Sequence, residues 1–390
     1  MVERIYFDNS ATTPLDPRVR EAMAPYLDGV YGNPSSLHAF GLAARQAVNR
    51  AREEVAALLG AAADEIVFAA SGTEAANLAI IGAVEALGVA GSHVITSAVE
   101  HPAVLMACRY LEERGAQVTR LPVDGDGLVA PTSLSAALRP NTRLVSVMAA
   151  NNVVGTLQPI AELARLARER SILFHTDAVQ AAGKIPLDVG TLPVDLLSLA
   201  PHKFNGPKGV GALYRHRGVA LKPIVHGGGQ EQGLRSATEN VAGIVGLGAA
   251  ACIARQEMAA EAARLVQLRE RIVTTLERTV PAAYLIGHRH RRLPGHLCLG
   301  IADQEGDAMG LLLALDEAGV AVSTGSACSA GHRSEPSYIL TAMGYDPIRA
   351  RGSLRITLGR FTTDAEVERF LAIFPDIAGG LRRLNTRSSL

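Results

Sequence analysis

Apolar positions recur at helical spacing over residues 37–59, and the run stops at Gly60, a residue suited to the left-handed end of a helix. Residues 73–87 predict a second helix, buried on most sides. Short apolar runs follow at strand length: Ile66–Phe68, His93–Ser97, Val118–Val123, Leu144–Met148, Ile172–His175, Leu196–Leu199 and Val210–Tyr214. Helical patterns at Ala103–Arg114 and Ile160–Arg170 separate several of them. Alternating short strands and helices predict an α/β domain with a mostly parallel seven-stranded sheet covered by helices, spanning residues 15–260. Residues 255–279 carry a long charged amphipathic pattern that leads out of it. A smaller α+β domain, made of residues 1–14 and 261–390, completes the chain.

Composition narrows the function. The 390 residues hold 38 Lys+Arg against 38 Asp+Glu, so the formal charge is zero. A nucleic-acid grip or a polybasic membrane surface needs a cationic excess that is missing here. Trp is absent and aromatics are 4%, which disfavours base-stacking platforms. Apolar stretches are too short, or too broken by charge and glycine, to read as membrane spans. Cys108, Cys252, Cys298 and Cys328 form no C-x-x-C pair and no zinc spacing. A cytoplasmic protein in a reducing compartment is the expectation.

Candidate chemistry lies where the strands end, because open α/β sheets gather ligands at the C-terminal edge. Ser71-Gly-Thr-Glu74 follows the first run and opens a helix whose free N–H groups suit a phosphate; the plainer reading is an ordinary N-cap. Glu100-His-Pro102, Asn151-Asn152, His175-Thr-Asp-Ala-Val-Gln180 and Pro201-His-Lys203 follow later runs. An Asn pair alone reads as a turn and a lone His as a satisfied core residue, but several strand ends carry such groups toward one edge. Lysine, aspartate, histidine and a phosphate cup together suit pyridoxal 5'-phosphate (PLP). Its aldehyde needs a lysine, its ring nitrogen a carboxylate, and its phosphate a helix N-terminus. Lys203 and Asp177 fit the first two roles.

These segments resemble the group I cysteine desulfurases of iron–sulfur cluster assembly and nitrogen fixation, in the class-V aminotransferase group of fold type I PLP enzymes. The resemblance runs over nearly the whole chain. It includes Tyr6-Phe-Asp-Asn-Ser-Ala-Thr-Thr-Pro14, Gly32-Asn-Pro-Ser-Ser36, Gly227–Asn240, Ser323-Thr-Gly-Ser-Ala-Cys-Ser329, Glu335-Pro-Ser337 and Arg355–Arg360. It implies Lys203 as the Schiff-base lysine and His101 as the histidine over the cofactor ring that helps move protons. Asp177 would pair with the ring nitrogen, and Gln180 would donate to the phenolic oxygen. Ser71, Gly72, Thr73 and His202 would form the phosphate cup. Thr238 would reach the phosphate of a neighbouring subunit, implying a homodimer. Arg355 would clamp the substrate carboxylate with help from Asn152 and Asn33, and Asn152 would also touch the cofactor.

Cys328 resembles the sulfur acceptor. Gly325, Ser326, Ala327, Ser329, Ala330 and Gly331 offer little to pack, so a mobile, exposed loop is expected. The other three cysteines read as small buried hydrophobes. Ala200, Val153, Ser71 and Ala237 stand where the family more often has serine, glutamate, glycine and glycine; the reactive groups are intact. The resemblance implies removal of sulfur from L-cysteine, giving L-alanine and a persulfide on Cys328 for an iron–sulfur scaffold or another acceptor. The alternatives are a selenocysteine lyase or aminotransferase on the same scaffold, and a non-catalytic scaffold paralogue, which the presence of both Lys203 and Cys328 disfavours. No bound metal is expected.

Overall fold

The computed structural model describes residues 4–302, 304, 308–325 and 336–388, with side chains up to residue 380. The chain opens with strand β1 (Ile5–Tyr6) and helices α1 (Pro17–Met23) and α2 (Ala39–Leu59). Alternation follows: β2 (Ile66–Ala69), α3 (Gly72–Leu87), β3 (His93–Ser97), α4 (Pro102–Glu113), β4 (Gln117–Leu121), α5 (Pro131–Ala137), β5 (Thr142–Ser146), α6 (Ile160–Arg168), β6 (Leu173–Asp177), β7 (Leu196–Leu199) and β8 (Gly211–Arg215). Helix α7 (Val241–Thr279) leads to β9 (Ala283–Leu285), β10 (His296–Ile301), α8 (Ala308–Glu317), β11 (Val320–Ala321), β12 (Ser323–Thr324), α9 (Tyr338–Ala342), β13 (Ser353–Thr357) and α10 (Asp364–Ser388).

The large sheet has seven strands in the order β2-β8-β7-β6-β5-β3-β4. Four pairings are parallel, and β8 runs antiparallel to both its neighbours. The expected mostly parallel seven-stranded sheet is therefore present. Because β8 alone reverses, β2 points the same way as β7, and the strand ends after β2, β3, β5, β6 and β7 share one edge. Strands β2, β3 and β7 are buried along their whole length, as a sheet with helices on both faces requires.

Helix α2 ends where the sequence indicates: Gly60 takes φ 65°, and its N–H bonds the Ala56 carbonyl. Helix α7 differs. It starts at Val241, fourteen residues before the predicted amphipathic stretch, and Asn240 caps it through Gly243 N. Its opening nine residues, Val-Ala-Gly-Ile-Val-Gly-Leu-Gly-Ala, are buried on several sides, so no polar face marks the helical period there. By length and hydropathy α7 is the one described helix that could span a membrane. Here its apolar N-terminal stretch packs on α2 instead: a Cβ at Gly248 would lie 2.6 Å from Ala51 Cα, so only glycine permits that approach.

Two further strand groups lie beyond the large sheet. A four-stranded sheet has the order β12-β13-β10-β9, and β1 pairs in parallel with β11. Ile5 and Phe7 pack in one core with Leu268 and Ile272 of α7, Leu297 of β10, Ile356 of β13 and Phe370 of α10. That packing brings the residues after β1 beside β13, where Asp8 bridges to Thr357.

Candidate active site

A cavity of about 480 Å³ opens at the shared strand edge. Its wall contains Ser71, Gly72 and Thr73 after β2, His101 after β3, Asn152 after β5, Asp177 and Gln180 after β6, His202 and Lys203 after β7, and Arg355 from β13. Ten of the residues singled out from the sequence thus meet around one space. Asn33 and Thr238 are not in its wall. Asn33 is exposed and caps its own turn, its Oδ1 accepting from Ser35 N at 2.9 Å. This departs from the expected help to Arg355 within one chain. Thr238 is exposed as well. Its loop is tied down by Glu231, which takes hydrogen bonds from Arg52 and from Phe68 N, and by Arg235, which donates to Glu74 at 2.7 Å. Cys328 and its neighbours 326–335 lie outside the described residues.

The helix N-terminus has the groups an anion needs. Ser71 caps α3, its Oγ accepting from Glu74 N at 3.1 Å. The cap leaves the Gly72 and Thr73 N–H groups without a partner among the described residues, facing the cavity at the positive end of a sixteen-residue helix. Gly72 has no room for a side chain: a Cβ there would meet Val179 Cγ2 at 2.7 Å. The Ser71 hydroxyl, having accepted one bond, keeps its own proton to donate.

Asp177 is buried at the end of β6, and its Oδ1 accepts from Val179 N at 2.9 Å. Burial pushes its carboxyl above the usual range, against the pull of His101, the Val179 N–H and Lys203. A carboxylate held so dry gains from a cationic partner, which a protonated pyridine nitrogen supplies. His101 caps α4 by accepting from Ala103 N at 3.1 Å through Nδ1, so the neutral ring carries its proton on Nε2. Burial holds the His101 imidazole below its usual value, partly offset by Asp177. His202 is likewise pushed down, to about 4, by burial and then by Lys203.

Lys203 donates to the carbonyls of Ser10 and Ala11 at 2.6 and 2.8 Å. Gln180 Nε2 donates to the same Ser10 carbonyl at 2.9 Å. Arg355, 2% exposed, gives Nη1 to the Asn152 carbonyl at 3.0 Å and Nη2 to Asp8 at 2.8 Å. Its Nε–H, itself shut off from solvent, has no partner among the described residues, while the side chain as a whole contributes to the cavity wall. Lysine, carboxyl, amide and anion cup together match the donor and acceptor set of PLP, and Arg355 stands in the same wall.

The remaining described cysteines are poor nucleophiles. Cys108 and Cys298 are fully buried, and burial raises their thiols to about 12 and about 11. Cys252 is only part-buried on α7, against the expectation of full burial. Among the described residues no cluster of His, Cys, Asp or Glu could hold a metal ion.

Residues 5–370 match the family model for aminotransferase class-V. A cysteine desulfurase IscS of Dictyoglomus turgidum is 48% identical over 385 residues, covering 99% of this chain and 97% of that one. The chain belongs to the class-V aminotransferase family, in its cysteine desulfurase branch. A second such relative, from Methanosarcina thermophila, is 46% identical over 98% of this desulfurase and 93% of its own length. Among solved structures, a NifS-like protein superposes with a TM-score of 0.90 at 39% identity, covering 96% of this chain and 99% of that one. SspA in complex with cysteine superposes with a TM-score of 0.79 at 36% identity, covering 92% and 100%.

Asp8, Ser10, Glu100 and Lys184 went unassigned in the sequence reading. Asp8 and Ser10 sit inside the quoted opening segment, but their partners are hundreds of residues away. Glu100 precedes His101 at the same strand end. Its Oε1 accepts from Ser97 Oγ at 2.5 Å and Met148 N at 2.9 Å, and burial raises its carboxyl to about 8.

Proposed function

We propose that this desulfurase binds L-cysteine and PLP together in the cavity and passes the substrate's sulfur to Cys328. The observation that carries the proposal is the single cavity shared by Lys203, Asp177, His101, the N-terminus of α3 and Arg355. The complex of the relative SspA with cysteine supports the substrate.

Gly72 and Thr73 N–H, with the hydroxyls of Ser71 and Thr73 and the His202 ring, would hold the phosphate. Asp177 would keep the ring nitrogen protonated, and Gln180 Nε2 would donate to the phenolic oxygen. When bound, PLP supplies an electron sink conjugated to the substrate's α-carbon. Arg355 orients L-cysteine through its carboxylate. Lys203, attached to neither strand nor helix interior, is placed to take the α-proton. His101, neutral with Nε2–H, can donate and recover a proton at the leaving sulfur side. The Cys328 thiolate attacks the substrate sulfur: an S–S bond forms, the Cβ–S bond breaks, and its electron pair stays on Cβ. A proton at Cβ, and return of the α-proton from Lys203 to the α-carbon, complete L-alanine.

Two further readings belong to this proposal. Thr238 is exposed, and Tyr31 and Phe40, their rings 5.6 Å apart and tilted, are both largely exposed, as is Leu37. Such a surface suits a homodimer in which Thr238 reaches the partner's phosphate. The persulfide then goes to an iron–sulfur scaffold or another sulfur acceptor in a reducing cytoplasm.

The test is product analysis. PLP-loaded protein given L-cysteine and a reducing thiol should form L-alanine and sulfide in equal amounts. A keto acid in place of alanine would favour the aminotransferase alternative and overturn the proposal.

A further inference from the structure

Between β6 and β7 the chain turns at Gly183, which takes φ 71° and whose missing Cβ leaves room for Phe204 at 2.8 Å. The next residue, Lys184, enters from behind the cavity. Its Nζ donates to Gln180 Oε1 at 3.3 Å. The other end of that carboxamide, Nε2, donates to the Ser10 carbonyl, which also takes Lys203 Nζ. An ammonium can only donate and a carbonyl can only accept, so both neighbours dictate the same orientation of the amide.

We propose that Lys184 is a positioning residue for the reaction: it locks the Gln180 carboxamide with Nε2 toward the cofactor's phenolic oxygen and places a second cation behind Lys203. The inference rests on the PLP reading above. Lys203 must give up its bonds to Ser10 and Ala11 whenever its nitrogen works on substrate. The hold of Lys184 on Gln180 does not depend on those bonds.

The groups facing Lys184 come from several elements. Lys203 and His202 follow β7, Arg355 is on β13 and His296 on β10; Glu261 of α7 and Arg360 line the small cavity of about 50 Å³ behind Lys203. Lys203 and Arg355 repel the Lys184 ammonium, and desolvation, the larger cause, joins them in pushing it down to about 7. The same repulsion acts in return on Lys203. Below about pH 7, where Lys184 carries its charge, that repulsion disfavours a second charge at Lys203, and through Gln180 the same charge favours the ionised phenolic oxygen.

Removing Lys184 therefore raises the pH at which the PLP-loaded enzyme changes its visible absorbance, because both effects then favour the protonated form. The experiment is a spectrophotometric pH titration of PLP-loaded protein without substrate, for wild type, Lys184→Met and Lys184→Arg. Lys184→Met should move the midpoint up by about one unit and weaken PLP binding several-fold. Lys184→Arg, which keeps donor and charge, should return the midpoint close to wild type. Should Lys184→Met fail to fold, Lys184→Gln drops the charge alone and should still shift the midpoint upward. A wild-type midpoint that neither neutral variant moves would overturn this inference alone. A wild-type protein with no visible band after loading would overturn the cofactor reading, and the inference with it.

Discussion

The Arg355 guanidinium holds the Asp8 carboxylate at 2.8 Å, tying the segment after the first strand to the strand that closes the cavity. The pair is nearly dry on the arginine side, and the Asn152 carbonyl takes a second edge of the same group. Asp8 and Asn152 thus fix the plane of the guanidinium before any substrate arrives, and its Nε–H stays buried without a partner among the described residues.

Arg355→Lys should therefore raise KM for L-cysteine far more than it lowers kcat. An ammonium cannot bond Asp8, the Asn152 carbonyl and a carboxylate with one planar fork. A charged hydrogen bond is worth roughly 1.5–3 kcal/mol, and each 1.4 kcal/mol is about tenfold, so KM should rise about ten- to a hundredfold. Steady-state kinetics on L-cysteine checks this; an unchanged KM would remove Arg355 from the carboxylate site.

Ser71 serves the α3 cap and faces the phosphate cup, next to Ala200, where the family more often has serine. Ser71→Gly should cost a few tenths of a kcal/mol in stability as a cap change. Losing a donor to a phosphate should weaken PLP about tenfold or more. Ala200→Ser should tighten binding, and the double change should lie near wild type. Equilibrium dialysis of the PLP-free forms decides: an unchanged dissociation constant in Ser71→Gly means the hydroxyl serves the helix alone.

Glu100 gives a pH test with a definite sign. Its folded carboxyl titrates at about 8, pushed up by burial from an ordinary 4.5, against the bonds from Ser97 and Met148. A raised acid is fully stabilising below its unfolded value and loses that contribution as pH climbs toward the folded value. Glu100→Gln cannot ionise, so the variant should gain on wild type between pH 4.5 and 8, by up to about 1.4 kcal/mol per pH unit. Urea unfolding at several pH values reads the difference. Parallel stability curves for the two proteins would show that Glu100 ionises freely in the fold.

Much of this site is legible in the sequence because the sheet aligns it. Lys203, Asp177, His101 and the Ser71-Gly-Thr73 turn each follow an apolar run, and strands that share a direction bring their ends together. Asp8 and Lys184 were not legible in that way. Asp8 gains its meaning from Arg355, 347 residues on, and Lys184 from a turn whose depth only the fold defines. The start of α7 was hidden for a different reason: a helix buried on several sides shows no polar face. Asn33 and Thr238 were read from the family segments, yet the single chain leaves both exposed and away from the cavity wall.

The most direct test of the account is mass spectrometry of PLP-loaded protein after one brief pulse of L-cysteine without reductant. The account requires one added sulfur on the peptide that contains Cys328, and none in Cys328→Ser, which should still bind L-cysteine. Added sulfur on Cys108, Cys252 or Cys298, or none on any cysteine while L-alanine forms, would contradict it.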